Sequence, residues 1–389
     1  MSVVKTNQIY SQRIISIDII RGLAIILMAI DHIRDFISPT LFNPLDIEHT
    51  TLSLFFTRIV TDFCAPTFIF LAGVSIFIQK KKGKKNLSLF LITRGLWLVF
   101  LEIIYVSFCW QFSYSTILLQ IIWVIGISMI IMGFVIRLKR QYTLIIGLIL
   151  AFLYHLLSPL DNFLNSQTHL LWSLLDQQAV LLNLPDFKIN LDYPILPWLG
   201  VMMIGYGLGY WFTDFIASYR IRLLLYCGTF LLCLYFIIKF IEVLYIYDVS
   251  MSTAQTVMQF FYVDKYPPSV LYIIFNFSLM MLLLALVELI NIKKTNPLLV
   301  FGSVPMFFYL IHLPLIHLIG EALSYLTYHQ SLNWATKGVV DPNKVPMGYT
   351  PSVIKVYLVW FFVIAVTYPL CLWYRNIKKK YNYWILNYL

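Results

Sequence analysis

Charge is what this chain has least of. Only 12% of its 389 residues are Asp, Glu, Lys or Arg, while 60% are hydrophobic and the mean hydropathy is +0.80. That shortage excludes an ordinary soluble domain, and the apolar residues recur in runs of about 20, the length that crosses a bilayer as a helix. Strict polar/apolar alternation is missing, which excludes the strands of a membrane β-barrel. Cysteine is scarce. Cys64, Cys109, Cys227, Cys233 and Cys371 lie scattered in or beside apolar segments, without CxxC or metal-ligand spacing, and read as small buried hydrophobes. GxSxG, Walker A, GxGxxG and HExxH are absent, as are heptad runs, low-complexity tracts and a sequence repeat. No cleavable signal is expected, because residues 1–13 are polar and the first apolar segment is long and lacks an AxA-like end.

What is present fits an all-α class: a polytopic transmembrane helical bundle of about ten spans. The candidate segments are 14–37, 52–79, 87–110, 116–137, 142–160, 193–212, 219–240, 267–290, 297–320 and 351–374. They form a single domain over 1–389, with a polar lead at 1–13 and a basic, aromatic tail at 375–389. The net charge of +10 does not imply a nucleic-acid partner, because the basic residues cluster at segment ends. Lys80–Lys85, Arg137/Lys139/Arg140, Arg220/Arg222, Lys293/Lys294 and Arg375/Lys378–Lys380 follow alternate spans. The other loops are acidic or mixed, with Asp46 and Glu48, then Asp161, Asp176, Asp186 and Asp192, then Glu242, Asp248 and Asp264. By the positive-inside rule both termini are cytoplasmic. A re-entrant 142–160 or 219–240 is the alternative, but losing one span breaks the alternation. The outer loops 161–192 and 326–350 are long enough for short helices.

The exception to the shortage of charge is the first segment, which carries Asp18, Arg21, Asp31, His32, Arg34 and Asp35. A charge at mid-membrane costs roughly 2.5–3.5 kcal/mol on insertion scales, so such groups face other helices or a wet cavity. At 100° per residue, Asp18, Arg21, Asp31, His32 and Asp35 fall within roughly 140° of one another, while Arg34 points elsewhere. Asp18/Arg21 and Asp31/His32 are on the order of 15–20 Å apart along the axis, one pair near each membrane surface. Asp18 and Arg21 can equally be a plain i,i+3 ion pair, and Arg34/Asp35 an anchor for the helix end.

Other segments repeat the theme. Arg58, Asp62 and Pro66 share one face at i, i+4 and i+8, in the same outer half as His32; a buried Arg58–Asp62 pair is the plain reading. Arg94 falls at the inner depth of Arg21, where two arginines can hold phosphates of a cytoplasmic donor; pairing with Glu102 or Asp18 is the alternative. Tyr309 and His312 are i,i+3 neighbours, with His317 further along and Pro314 between. Zinc on His32 and Asp62 is not expected, because metal ligands come in tighter motifs.

The stretches SIDIIRGLAIILMAIDHIRDF, FFTRIVTDFCAPTFIFLAGVS, LITRGLWLVFLEIIYV, QIIWVIGISMI, YPILPWLGVMMIGYGLG and NPLLVFGSVPMFFYLIHLPLIHL resemble, in order, the prokaryotic relatives of heparan-α-glucosaminide N-acetyltransferase, in the transmembrane acyltransferase group. The resemblance implies an integral membrane enzyme that takes an acetyl group from cytoplasmic acetyl-CoA and passes it to a sugar or glycan on the far side. It implies a bacterial cytoplasmic membrane, an acyl-CoA partner and no metal, and it is compatible with an oligomer. In eukaryotic members the active histidine lies in the outer region before the second span. His49 is the nearest match by position, and His32 is the better chemical candidate; heparan itself is not the expected acceptor.

The expected site is then His32 as base or nucleophile, a carboxylate such as Asp31 or Asp62 to orient it, and Arg58 or His312 to stabilise the oxyanion. Arg21 and Arg94, with Asp18, would meet the donor. A proton-coupled transporter of a small polar solute is the alternative, since transporters also place His, Asp and broken helices inside the membrane.

Overall fold

The computed structural model describes residues 14–157, 166–246, 251–290, 292–293, 295–336, 339–381, 383 and 386. The lead 1–13 and the charge markers Asp161, Asp248 and Lys294 lie outside the described residues. The chain is mostly helical. Seven helical stretches among the described residues are long and apolar enough to cross a membrane: Leu52–Lys81, Leu87–Gln111, Ile195–Phe212, Ala217–Ile246, Val270–Leu289, Pro305–Tyr328 and Val353–Lys380. Three further helices fill the remaining apolar segments. Ile15–Ile37 has the length but carries the charges, whereas Ile121–Val135 and Arg140–Phe152 are short.

Helix α1 (Ile15–Ile37) is the axis of the bundle. Around it pack α2 (Leu52–Asp62), α3 (Cys64–Lys81), α11 (Val270–Leu289), α12 (Pro297–Ser303), α13 (Pro305–Tyr328) and α14 (Val353–Lys380). With neighbours on so many sides, its charged face meets protein rather than lipid. The closest approach is to α12. A Cβ on Gly302 would lie 1.8 Å from the Asp18 carbonyl oxygen, and one on Gly22 would lie 2.0 Å from that of Leu298. Two backbones therefore touch where Arg21 projects, a packing only glycine permits.

Outside this group, α4 (Leu87–Gln111) packs on α5 (Ile121–Val135) and α6 (Arg140–Phe152) on α8 (Ile195–Leu208). Helix α9 (Ala217–Ile246) lies against α11. Helices α2 and α3 form one 30-residue stretch broken at Phe63, three residues before Pro66, whose ring nitrogen cannot donate to the preceding turn. Helix α4 contains a π turn at Glu102–Val106. It aims the Glu102 carboxylate at the start of α5, where the backbone N–H groups of Gln120 and Trp123 donate to it at 3.2 and 3.1 Å. Glu102 thus caps a helix N-terminus, and the pairing with Arg94 considered from sequence is not formed.

The basic segments gather at one end. Lys81 pairs with Asp214 at 3.0 Å, Lys80 donates to Tyr206 Oη at 3.0 Å, and Arg140 donates to the Gly207 carbonyl at 3.1 Å. There too Arg220 pairs with Glu288, which also accepts from Ser16 at the start of α1.

The opposite end departs from an all-helical expectation. Strand β1 (Thr116–Leu119) pairs in parallel with β3 (Phe187–Leu191), which pairs antiparallel with β2 (Ala179–Leu184). Strands β4 (Ala335–Thr336) and β5 (Val339–Val340) make a second, two-stranded sheet. Short helices α7 (Ser166–Asp176) and α10 (Thr253–Phe261) complete that end. The loop 161–192 thus holds strands as well as a helix, whereas 326–350 holds strands and, among the described residues, no helix beyond the end of α13. Such short strands carry too little alternation to read from sequence.

Candidate active site

Two cavities open at opposite ends of α1. The outer, about 560 Å³, is lined by Asp31, His32, Arg34, Asp35, Arg58 and Lys265, with aromatic walls from Trp110, Tyr193 and Tyr266. The inner, about 290 Å³, is largely apolar, with Arg21, Arg94 and Lys378 among its lining. Four residues line both: Met28, Phe68, Ile121 and Tyr309. The two spaces therefore meet at one apolar threshold. On α1, Arg21 stands on the inner side and His32 on the outer, eleven residues or about 16 Å along the axis.

His32 meets a second histidine across the bundle. Its Nδ1 lies 2.8 Å from His312 Nε2 and the rings stack with centroids 5.1 Å apart. His312 is fully buried, and its Nδ1 lies 3.0 Å from the Phe308 carbonyl and 2.7 Å from that of Tyr309. Carbonyls only accept, so Nδ1 of His312 carries the hydrogen. In a neutral ring Nε2 is then the acceptor, and His32 Nδ1–H must be the donor. His32 is left with its lone pair on Nε2, in a ring that lines the outer cavity. Trp110, edge-on at 5.1 Å, fixes the plane of the ring. A backbone-held histidine thus sets the tautomer of a cavity-lining one.

Beside His32 runs a chain of six charges of alternating sign. Asp35 pairs with Arg34 at 2.7 Å, and Arg34 with Asp31 at 2.7 Å. Asp31 pairs with Arg58, Arg58 with Asp62 at 3.5 Å, and Asp62 with Lys265 at 3.2 Å. Three carboxylates answer three cations, so the buried network is neutral as a whole. Each partner is needed because a lone buried charge is far costlier than a paired one. Burial and the nearby Arg58 pull the Lys265 ammonium down, but Tyr266, Asp62 and Asp31 more than offset this and hold it above the usual lysine value.

Several expectations change in this geometry. Asp62 is buried under Arg58 and Lys265 and does not line the cavity, and the hydrogen bond that His32 makes to another helix goes to His312 and not to Asp62. Arg34, set aside on wheel angle, belongs to the site. Its Cα points away, but its long side chain carries the guanidinium back to Asp31 and Asp35. Arg58 lines the outer cavity while held by two carboxylates. Sequence reasoning missed Lys265, a loop lysine far in sequence from the other five members of the charge chain. It also read Lys378 only as a marker of topology.

At the inner cavity Asp18 and Arg21 make the i,i+3 ion pair read from the sequence. The pair forms at 3.2 Å, Arg21 Nη2 also donates to Ser75 at 3.0 Å, and the anchored guanidinium stands in the cavity wall. Arg94 lines the same wall. His49 is 62% exposed, bonded to Asp46 at 2.7 Å, and outside the cavity lining; that bond holds the Asp46 carboxyl below its usual range. His317 is a core group, its Nδ1 donating to the Cys109 carbonyl at 2.8 Å and its ring stacked on Phe112 at 3.9 Å. No group of three or more His, Cys, Asp or Glu able to hold a metal occurs among the described residues.

Residues 13–240, more than half of the chain, match the family model described as heparan-alpha-glucosaminide N-acetyltransferase, catalytic. The matched stretch takes in Arg21, His32, Arg58, Asp62 and Arg94 and stops short of Lys265, Tyr309, His312 and Lys378. Comparison with curated proteins gives no match. On the strength of the family match, the chain belongs to the heparan-alpha-glucosaminide N-acetyltransferase catalytic family, a family of membrane acetyltransferases.

Proposed function

We propose that the chain moves an acetyl group from cytoplasmic acetyl-CoA to a sugar or glycan on the extracytoplasmic side of a bacterial cytoplasmic membrane. All ten helical segments cross in this reading, with both termini on the basic side. The observation that carries it is the shared threshold of Met28, Phe68, Ile121 and Tyr309, with arginines on one side and His32 on the other. The inner cavity suits the donor. Its apolar walls fit an acyl-pantetheine arm, and Arg21, Arg94 and Lys378 supply charge for phosphates, with Asp18 holding Arg21 in place. The outer cavity suits a polyhydroxylated acceptor, with aromatic faces for the ring and carboxylates for its hydroxyls.

The reaction follows from the tautomer. The acceptor hydroxyl or amine attacks the thioester carbonyl carbon as His32 Nε2 takes its proton. The C–S bond then breaks, and the thiolate takes the proton back from His32. His312 accepts from His32 Nδ1 throughout and so keeps Nε2 basic. Asp31, held by Arg34 and Arg58, stabilises the imidazolium formed in passing.

The test uses purified protein, labelled acetyl-CoA and a panel of neutral and amino sugars. The wild type binds acetyl-CoA and transfers the label, while His32→Ala retains binding and loses transfer. Uptake of intact solute into vesicles without acetyl-CoA, or full transfer by His32→Ala, would overturn the reading.

A further inference from the structure

Acyl transfer from a thioester places negative charge on the carbonyl oxygen in the tetrahedral intermediate, and a donor aimed at that oxygen is a large part of catalysis. The obvious donors are committed. The two terminal nitrogens of Arg58 are engaged by Asp31 and Asp62, and the only His312 nitrogen facing the site is occupied by His32.

One donor at the threshold is not committed. Tyr309 is 4% exposed, yet its hydroxyl meets no hydrogen-bond partner among the described residues. Buried hydroxyls are ordinarily paired, and leaving one unpaired is unfavourable. Among the described residues Tyr374 is the other buried tyrosine of this kind, and it lines neither cavity. Tyr309 lines both spaces, and its ring centroid lies 6.1 Å from that of His32. Its own carbonyl accepts from His312 Nδ1, so the segment that places the phenol also holds the histidine pair. Among the described residues Trp110 Nε1 is likewise unpartnered, but so are five other buried indole nitrogens, and of the two cavities Trp110 lines only the outer.

We infer that the Tyr309 hydroxyl donates to the donor's thioester carbonyl oxygen as the acyl group reaches the threshold, and stabilises the oxyanion formed when the acceptor attacks. The phenol keeps its proton: it gives a hydrogen bond, while His32 handles the proton that moves. Tyr309 also marks how far the donor travels, since the carbonyl has to reach a residue shared by both cavities. This assignment rests on the acyl-transfer reading above.

The experiment uses the full chain in nanodiscs with the ketone analogue S-acetonyl-CoA, carbon-13 labelled at the carbonyl, and infrared difference spectroscopy. On the wild type the carbonyl band moves to lower frequency than in solution. Tyr309→Phe binds the analogue within a fewfold of wild type, loses the band shift, and loses about 10²–10³-fold in kcat for acetyl transfer with KM little changed. Fluorotyrosine at position 309 keeps the ring, strengthens the donor and moves the band further, which decides the matter even if Tyr309→Phe does not fold. An unshifted band in the wild type, or the same band and kcat after Tyr309→Phe, overturns the inference and leaves the acyl-transfer reading standing. A wild type that neither binds acetyl-CoA nor transfers from it removes that reading, and this inference with it.

Discussion

His32 on α1 and His312 on α13 are joined Nδ1 to Nε2 at 2.8 Å, 280 residues apart in sequence. The bond makes one ring the orienter of the other, because His312 is fixed by two backbone carbonyls and His32 lines the cavity.

Replacing His312 should therefore damage transfer without touching the donor cavity. His312→Ala is expected to lower kcat by about 10²–10⁴-fold, leaving acetyl-CoA affinity close to wild type. His32→Ala with His312→Ala should be no worse than His32→Ala alone, because the two act as one unit. Single-turnover transfer and equilibrium binding of acetyl-CoA separate the effects; additive losses would mean that the rings act independently.

The six-charge chain predicts a non-additive pair. Lys265→Met leaves Asp62 buried with only a 3.5 Å contact to Arg58 and should cost about 3–5 kcal/mol of stability. Adding Asp62→Asn should recover part of that loss, which thermal unfolding in detergent measures as a double-mutant cycle. The pH sign is set by the raised Lys265 value. Its stabilisation is complete below the ordinary lysine pKa of 10.5 and is lost as pH rises through the higher folded-state value, so the wild type should show no loss from this group between neutral and mildly alkaline pH.

Donor affinity should depend on the inner cations. Arg94→Ala is expected to raise KM for acetyl-CoA about tenfold, with kcat less affected, and to weaken the salt dependence of donor binding. Titration of acetyl-CoA at two ionic strengths reads this directly. An unchanged affinity would place the phosphates elsewhere.

The contact of α1 with α12 is a stability prediction independent of function. Gly302→Ala puts a Cβ 1.8 Å from a backbone oxygen, so a backbone must move, and overpacking of this kind costs about 1–3 kcal/mol. A lower unfolding temperature with a retained helical spectrum is the expected result.

Much of this site was legible in the sequence because it lies on helices with steady geometry. The two polar layers of α1 follow from rise and turn alone, and they correspond to the two cavities. The grouping of Arg21 with Arg94 rested on depth, which topology supplies, whereas His312 was singled out by its residue type beside Tyr309 and not by depth. Arg34 was not legible, because a wheel places Cα atoms whereas a guanidinium acts several bonds away. Lys265 and the real partner of Asp62 were hidden for another reason: a loop lysine reaches its carboxylate only through tertiary packing, and no local period encodes that. Strand β1 was read as the start of the span 116–137, and β2 and β3 were missed because segments of five or six residues in an outer loop carry little pattern, yet together they position Asp192, which lines the outer cavity and accepts from Gln120 at 3.2 Å.

The central claim is transfer across the membrane through the Met28–Tyr309 threshold, and sidedness tests it most directly. Sealed vesicles with protein of known orientation are given carbon-14 acetyl-CoA on the basic-loop face, with an impermeant sugar acceptor enclosed on the other. The account predicts labelled sugar on the far side for the wild type and none for His32→Ala. Labelled sugar formed only when donor and acceptor share a face would contradict it.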